Sequence, residues 1–438
     1  MSIVCKIEQL DDPLRRIILQ ELHVKKTQPK SKNPKMQKCS YQQQPKEVIT
    51  YRIYGLDDSI YMPFAFANTT LRLSRPPRES YPSIRTKFVG SLREKQVEVR
   101  QEAIQLLNKN GSLLLALHVG FEKSVLSLEL ACKIKLRTMI VVHRILLIHQ
   151  WIESIHKYCD GKATACTFDK YDDDSDFLVL NVLNIPKLTE AQLQSFGFII
   201  IDECHLISTE HFSKSLQHLT PRYLVGLSAT PYRNDGMDKI MDLYFGTERI
   251  TRKLQIEHVV YKIQTSFVPP IIQMRNGQLD WNHIIEAQSN HPSRNDMIMR
   301  LVDLYPDRHI LILCKRKEQG NHLLKVLTER QHHVTRLMGT DKSFDKNARI
   351  VVATINKAGV GFSHDVLDTL ILAADVEEYY IQYLGRITRR PDVKPMIFDI
   401  IDQNPTLQRH FQTRRKVYKE IGGTIFDFKK EYPDFKII

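Results

Sequence analysis

Phe198-Ile199-Ile200-Ile201-Asp202-Glu203-Cys204-His205 is the stretch from which the rest of this chain can be read. An apolar, β-branched run stops abruptly at two carboxylates. A strand buried on both faces of a parallel sheet has that composition, and ligands of open α/β sheets collect at the carboxyl ends of such strands. There Asp202 would hold a Mg²⁺ ion, and Glu203 would orient or deprotonate an attacking water. The same letters also describe a plain strand followed by a solvated turn. A second apolar run, Tyr223 to Leu227, ends in Ser228-Ala229-Thr230-Pro231 and favours the first description.

Outward from these two segments, apolar runs alternate with helical patterns. The spacing predicts strands at 113–117, 138–142, 163–168, 177–183, 198–202 and 223–227. After a less regular stretch near 250–305, a second set is predicted at 309–314, 334–338, 349–354, 368–373 and 395–400. Amphipathic segments such as Lys315–Thr328 lie between them. Such alternation means βαβ units and a parallel sheet, here built twice.

Gly120-Phe121-Glu122-Lys123-Ser124 follows the first of these strands and opens a helical stretch, Val125–Ile134. The context suits a phosphate-binding loop. Lys123 would reach the outer phosphates, the Ser124 hydroxyl would ligate Mg²⁺, and the helix N–H groups would face the anion.

Together these segments resemble superfamily 2 helicases. FIIIDECH and LVGLSATPYRNDGMDK are similar to motifs II and III, with the flavour of the Rad25-like group and the transcript-release helicases of large DNA viruses. The resemblance covers about residues 92–425. It implies an α/β fold: two tandem RecA-like (P-loop NTPase) domains with parallel sheets, plus a small basic N-terminal region. The expected boundaries are 1–90, 91–255 and 256–430. It also implies ATP as the nucleotide. Its further motifs can be placed residue by residue. Gln382-Tyr383-Leu384-Gly385-Arg386-Ile387-Thr388-Arg389 resembles motif VI, in which Arg386 and Arg389 would be the arginine pair and Gln382 would help position the γ-phosphate or water. Two arginines three apart share one face of a helix, and guanidinium forks suit a transferring phosphoryl group. Gln96 is the counterpart of the glutamine that reads the adenine edge. Ser228 and Thr230 would couple the nucleotide site to the strand through His205. His143, Arg144, Lys315, Arg316, Thr354 and Asn356 would contact the nucleic-acid backbone, positioning a strand without reading its sequence. Trp151 is better explained as packed beneath a helix than as stacked on a base. Tyr232 and Arg233 would be coupling or strand contacts, or plain surface.

Two departures stand out. Where the family has a glycine directly before the lysine of the loop, this chain has Glu122; Ala116, Gly120, Lys123 and Ser124 match. A glutamate adds a Cβ where backbone freedom is needed and a charge that repels a triphosphate by about 1 kcal/mol in water and roughly 4 kcal/mol at intermediate dielectric. Three expectations remain open: an intact ATPase with an unusual loop, a weakened one, or one that has lost its motor. Gly359-Val360-Gly361-Phe362 resembles motif V, but Ser363-His364 precede the acid, Asp365.

Composition fits this reading. The net charge of +13 calls for a polyanionic partner, most simply DNA or RNA. About +8 of it lies in the first ninety residues, where Lys25 to Lys46 reads as a basic arm and Ile49 to Leu73 as a small sheet. Seven cysteines, an odd count without Cys-x-x-Cys, argue against zinc or a disulfide framework and for a reducing, intracellular compartment. No apolar run is long enough for a membrane span. The expected function is an ATP-dependent helicase or translocase, with transcription machinery as a further partner and a large DNA virus as the source. The rival is a helicase-fold scaffold that binds nucleic acid without a motor, for which Glu122 is the evidence. A nuclease or restriction-type translocase subunit would need a further acidic cluster, and none is apparent.

Overall fold

The computed structural model describes the chain except residues 26–46, 56–57, 167–173, 208–213, 230–236, 275–278, 342, 359–363, 377–379, 389 and 391, and the side chains of residues 166, 207, 380 and 382. Most of the basic arm therefore lies outside the described residues. Two compact units emerge, one of Met1–Leu117 and Phe121–Arg252, the other of Lys253–Ile438 with His118–Gly120.

The first unit opens with β1 (Ser2–Lys6), β2 (His23–Lys25), β3 (Glu47–Ile49), β4 (Arg52–Tyr54) and β5 (Ser59–Pro63). β1, β5 and β4 form an antiparallel sheet, and β2 pairs with β3. These strands do not stand apart. Met1, Ile3, Leu22 and Phe64 share one core with Leu114, Met139 and Ile199 of the main sheet. That main sheet comprises β6 (Ser112–Leu117), β7 (Thr138–Val142), β8 (Ala163–Cys166), β9 (Phe177–Asn181), β10 (Phe198–Ile201), β11 (Tyr223–Ser228) and β12 (Arg249–Arg252). Every pairing is parallel, in the order β12-β6-β11-β10-β7-β9-β8. β6, β7 and β10 are buried at every position, as unbroken apolar runs require when helices cover both faces. The Ile145–Tyr158 helix shows why: it buries Leu147, Ile148, Trp151 and Ile155, one stripe at helical spacing.

The second unit repeats the plan with β13 (His258–Gln264), β14 (Ile310–Cys314), β15 (Val334–Leu337), β16 (Ile350–Thr354), β17 (Thr369–Leu372), β18 (Met396–Ile401) and β19 (Gly423–Asp427). These pair in parallel in the order β15-β16-β14-β17-β18-β13-β19. Alternate residues of β14 feed separate cores: Leu311 and Leu313 on one face, Ile310, Ile312 and Cys314 on the other.

The expected strands are present to within a residue or two at their ends, apart from 163–168, whose last two positions fall outside the described residues. The stretch near 250–305 needs correcting. It holds β12, β13 and the helices Trp281–Asn290 and Pro292–Leu304. β13, His-Val-Val-Tyr-Lys-Ile-Gln, has buried positions spaced irregularly between half-exposed ones, so it gives neither an apolar run nor a clean alternation.

Candidate functional site

The order of the first sheet brings the sequence-predicted groups together. β11 lies between β6, which leads into the Gly120–Ser124 loop, and β10, which delivers Asp202 and Glu203. Ile201 is level with Gly226, and Ser228 ends β11 two residues further along.

Between β6 and the Lys123–Ile134 helix the chain turns through two left-handed residues. Gly120 has φ 86° and Glu122 has φ 59°, ψ 53°. The backbone of a glycine-type loop is thus retained with a glutamate at its tightest point, at a strain of about 1 kcal/mol. The Glu122 carboxylate is taken up by Arg93, whose Nη2 donates to Oε1 across 2.9 Å. Lys123 extends back along the loop and donates from Nζ to the Leu117 carbonyl at 3.2 Å. The first turn of the helix presents the orphan N–H groups that bind anions, and Ser124 sits in it, half-buried.

Gln96 is buried, only 2% exposed. Its Nε2 donates to the Phe121 carbonyl at 2.8 Å, and its Oε1 accepts from the Arg93 N–H at 2.8 Å. In this structure the side chain predicted to read adenine fastens the loop to the start of the Glu94–Asn110 helix.

Asp202 accepts from Trp151 Nε1 at 2.9 Å through Oδ2 and from the Glu203 N–H at 3.0 Å through Oδ1. Burial and the neighbouring Glu203 charge push its pKa up to about 6; Trp151, Lys123 and the Glu203 N–H act in the opposite direction. Trp151 is packed in the core, as expected, yet its polar edge is committed to the acid. Glu203 itself is left-handed, φ 47°. Its Oε2 is buried with no hydrogen-bond partner among the described residues, 3.4 Å from His205 Nδ1. A non-glycine residue held in that region at a buried carboxylate is the kind of strain that accompanies function.

His205 and Ser228, both buried, are joined at 3.0 Å between Nδ1 and Oγ. The hydroxyl–imidazole link predicted between these motifs is therefore in place. Thr230, Tyr232 and Arg233 lie outside the described residues.

Asp202 and Ser124 offer hard oxygen donors. Among the described residues no cluster of three or more His, Cys, Asp or Glu could hold a metal by itself. One acid, one hydroxyl and phosphate oxygens suit Mg²⁺, which rarely uses an all-protein cage. A buried carboxylate whose pKa is raised also gains from a cation beside it. The donor set therefore fits this ion.

The groups predicted to meet a strand sit at carboxyl ends of their sheets. His143 and Arg144 follow β7, Arg144 exposed. Burial, Arg144 and His205 lower the His143 pKa to about 4, so this imidazole is neutral and offers no charge to a phosphate. In the second unit Lys315 follows β14 and lies 6.0 Å from the Trp281 ring centre, while Arg316 donates to Asn282 Oδ1 at 3.2 Å. Thr354 ends β16 and is buried; Asn356, two residues on, is exposed. Residues 359–363 lie outside the described residues, and His364 is buried beside the Ala348 carbonyl. Arg386 is half-buried on the Tyr380–Ile387 helix. Arg389 and the Gln382 side chain are among the parts not described.

Three polar arrangements escaped sequence reasoning. Arg93 stands directly before the Glu94–Asn110 helix, but nothing in the letters aims it at Glu122. The Trp151–Asp202 bond spans 51 residues. In the second unit Arg414 forks onto Asp399 with two 2.8 Å bonds and reaches Asp375 at 2.8 Å, with Tyr418 and His410 completing the network.

Comparison with known proteins agrees with this geometry. A family model described as "Type III restriction enzyme, res subunit" matches residues 90–233. The chain is 41% identical over 414 residues to "Putative helicase 161L" of Invertebrate iridescent virus 6, spanning 88% of this chain and 93% of that protein. It is 30% identical over 373 residues to "Putative helicase 055L" of Frog virus 3, spanning 83% and 85%. The solved structure of S. cerevisiae Dbp5 bound to RNA and ADP BeF3 superposes with a TM-score of 0.54 at 14% identity, covering 78% of this chain and 95% of that one; it shows the shared fold of two RecA-like domains. The chain belongs to the superfamily 2 helicases, in the family of these viral proteins.

Proposed function

With membership of the superfamily 2 helicases as premise, we propose that this chain hydrolyses ATP in response to a nucleic-acid strand and uses the cycle to move along it or unwind it. The observation that carries this is the sheet order, which sets the loop bearing Lys123 after β6 and the acids Asp202 and Glu203 after β10, with β11 alone between the two strands. Lys123 and the helix N–H groups bind the phosphates. Glu203, with a buried oxygen that accepts no hydrogen bond among the described residues, orients the attacking water and takes its proton. Asp202 and Ser124 would hold Mg²⁺, which when bound offsets charge on the phosphate oxygens. Arg386 and Arg389, with Gln382, are assigned to the transferring phosphoryl group on the strength of their motif. His205 and Ser228 carry the state of Glu203 to the neighbouring strand end.

The strand is held through its phosphates by Arg144, Lys315 and Arg316, with Thr354 and Asn356 offering neutral contacts, so DNA and RNA are both candidates. A role in viral transcription, beside transcription machinery, belongs to the same proposal. The scaffold alternative rested on Glu122, and the Arg93–Glu122 pair removes much of its force.

Phosphate release by the 438-residue chain, measured with and without single-stranded DNA or RNA, tests the proposal. Release should rise at least several-fold with one of the two strands. Strand binding without any release would favour the scaffold.

A further inference from the structure

The exception to the family pattern, Glu122, comes with its own compensation. Arg93 Nη2 stands 2.9 Å from Glu122 Oε1, and the two side chains are 65% and 41% exposed. Exposed pairs of this kind add little to fold stability, so stability is a weak explanation for the arrangement. The backbone that carries Arg93 is itself tied to the loop. Its N–H donates to Gln96 Oε1 at 2.8 Å, and Gln96 Nε2 donates to the Phe121 carbonyl at 2.8 Å. The start of one helix thus grips two successive loop residues, Phe121 by its carbonyl and Glu122 by its carboxylate. Glu122 keeps the left-handed backbone the loop needs, which leaves its charge as the remaining obstacle to an incoming anion.

We propose that Arg93 is a positioning residue for the nucleotide loop: its guanidinium neutralises Glu122 and holds that carboxylate aside, so that a loop lacking its second glycine still accepts a triphosphate. This rests on the ATP-binding reading of the same loop. It assigns Arg93 no contact with the nucleotide and no part in the chemistry. An unneutralised carboxylate about 4 Å from a phosphate charge would weaken binding by about fivefold in water and roughly a thousandfold at intermediate dielectric. The exposure of the pair puts the expected effect near tenfold, and salt screens it.

The test is the affinity of a fluorescent ATP analogue for the 438-residue wild type, Arg93→Ala, Glu122→Gln and Arg93→Ala/Glu122→Gln, at low and high salt. Melting temperatures check that each protein is folded, and Arg93→Gln serves if Arg93→Ala is not. Arg93→Ala should bind on the order of tenfold more weakly, with the deficit shrinking at high salt. Glu122→Gln should bind more tightly than wild type, and the double variant should recover most of the loss. Wild-type affinity in Arg93→Ala would overturn the proposal. So would a deficit that persists unchanged in the double variant, since Arg93 would then act independently of Glu122. Either result leaves ATP binding intact. Failure of wild type itself to bind the analogue would overturn both this proposal and the reading beneath it.

Discussion

Trp151 Nε1 donates to Asp202 Oδ2 at 2.9 Å, tying the helix after β7 to the acid at the end of β10. The bond favours the ionised acid against burial and against Glu203, which together raise the Asp202 pKa to about 6. Trp151→Phe keeps the packing and deletes the donor. In the metal-free protein the acidic limb of the Asp202 titration should move up in pH by several tenths of a unit to about one unit. An unmoved limb would separate Trp151 from the electrostatics of the site.

The same raised pKa has a consequence for stability. A carboxylate that binds its proton more tightly in the folded state than in the unfolded one contributes stability that declines as pH rises from the unfolded value near 4 towards about 6. Asp202→Asn removes that term. The difference in denaturant stability between this variant and wild type should therefore shift in the variant's favour across pH 4 to 6. A difference that stays flat across this window would count against a raised Asp202 pKa.

His205 and Ser228 are linked at 3.0 Å while both are buried. Ser228→Ala should lower the ratio of strand-stimulated to basal phosphate release more than it lowers basal release. Loss of about 1 kcal/mol of coupling corresponds to roughly a fivefold drop in that ratio. Equal losses in both rates would mean that the bond supports the site without transmitting anything.

Arg414 and its two aspartates form a buried ion network in the second unit, with Asp399 and Asp375 at most 3% exposed. Arg414→Met strands both acids, and unfolding in denaturant should show a loss of about 3–5 kcal/mol. Replacing Arg409, an exposed residue whose guanidinium donates to Thr406 Oγ1 on the Pro405–Glu420 helix that also carries Arg414, should cost far less.

Much of this was legible in the letters because it repeats along the chain. The runs at β6, β7, β10 and β14 are apolar throughout and flanked by helical periodicity, which fixes a parallel sheet before any coordinate is known. The Asp202–Glu203 and Ser228 sites follow because they terminate such runs. β13 was not legible, since its residues mix buried and half-exposed positions. The N-terminal strands were legible only in part: Ile49 to Leu73 read as a small sheet, but the shared core of Met1 and Ile3 with Leu114 depends on packing between segments far apart in sequence. The partners of Trp151, Arg93 and Arg414 stayed hidden for the same reason. A side chain's type states what it can bond to, and only the fold states what stands opposite.

Glu203 is the residue on which the hydrolytic reading turns. Phosphate release in the presence of saturating single-stranded nucleic acid, compared between wild type and Glu203→Gln with nucleotide binding measured in parallel, addresses it most directly. The expected result is strand-stimulated release by wild type, reduced about 10²- to 10⁴-fold in Glu203→Gln while the nucleotide still binds. Equal rates in the two proteins would contradict Glu203 as the base, and no stimulated release from wild type would contradict the motor itself.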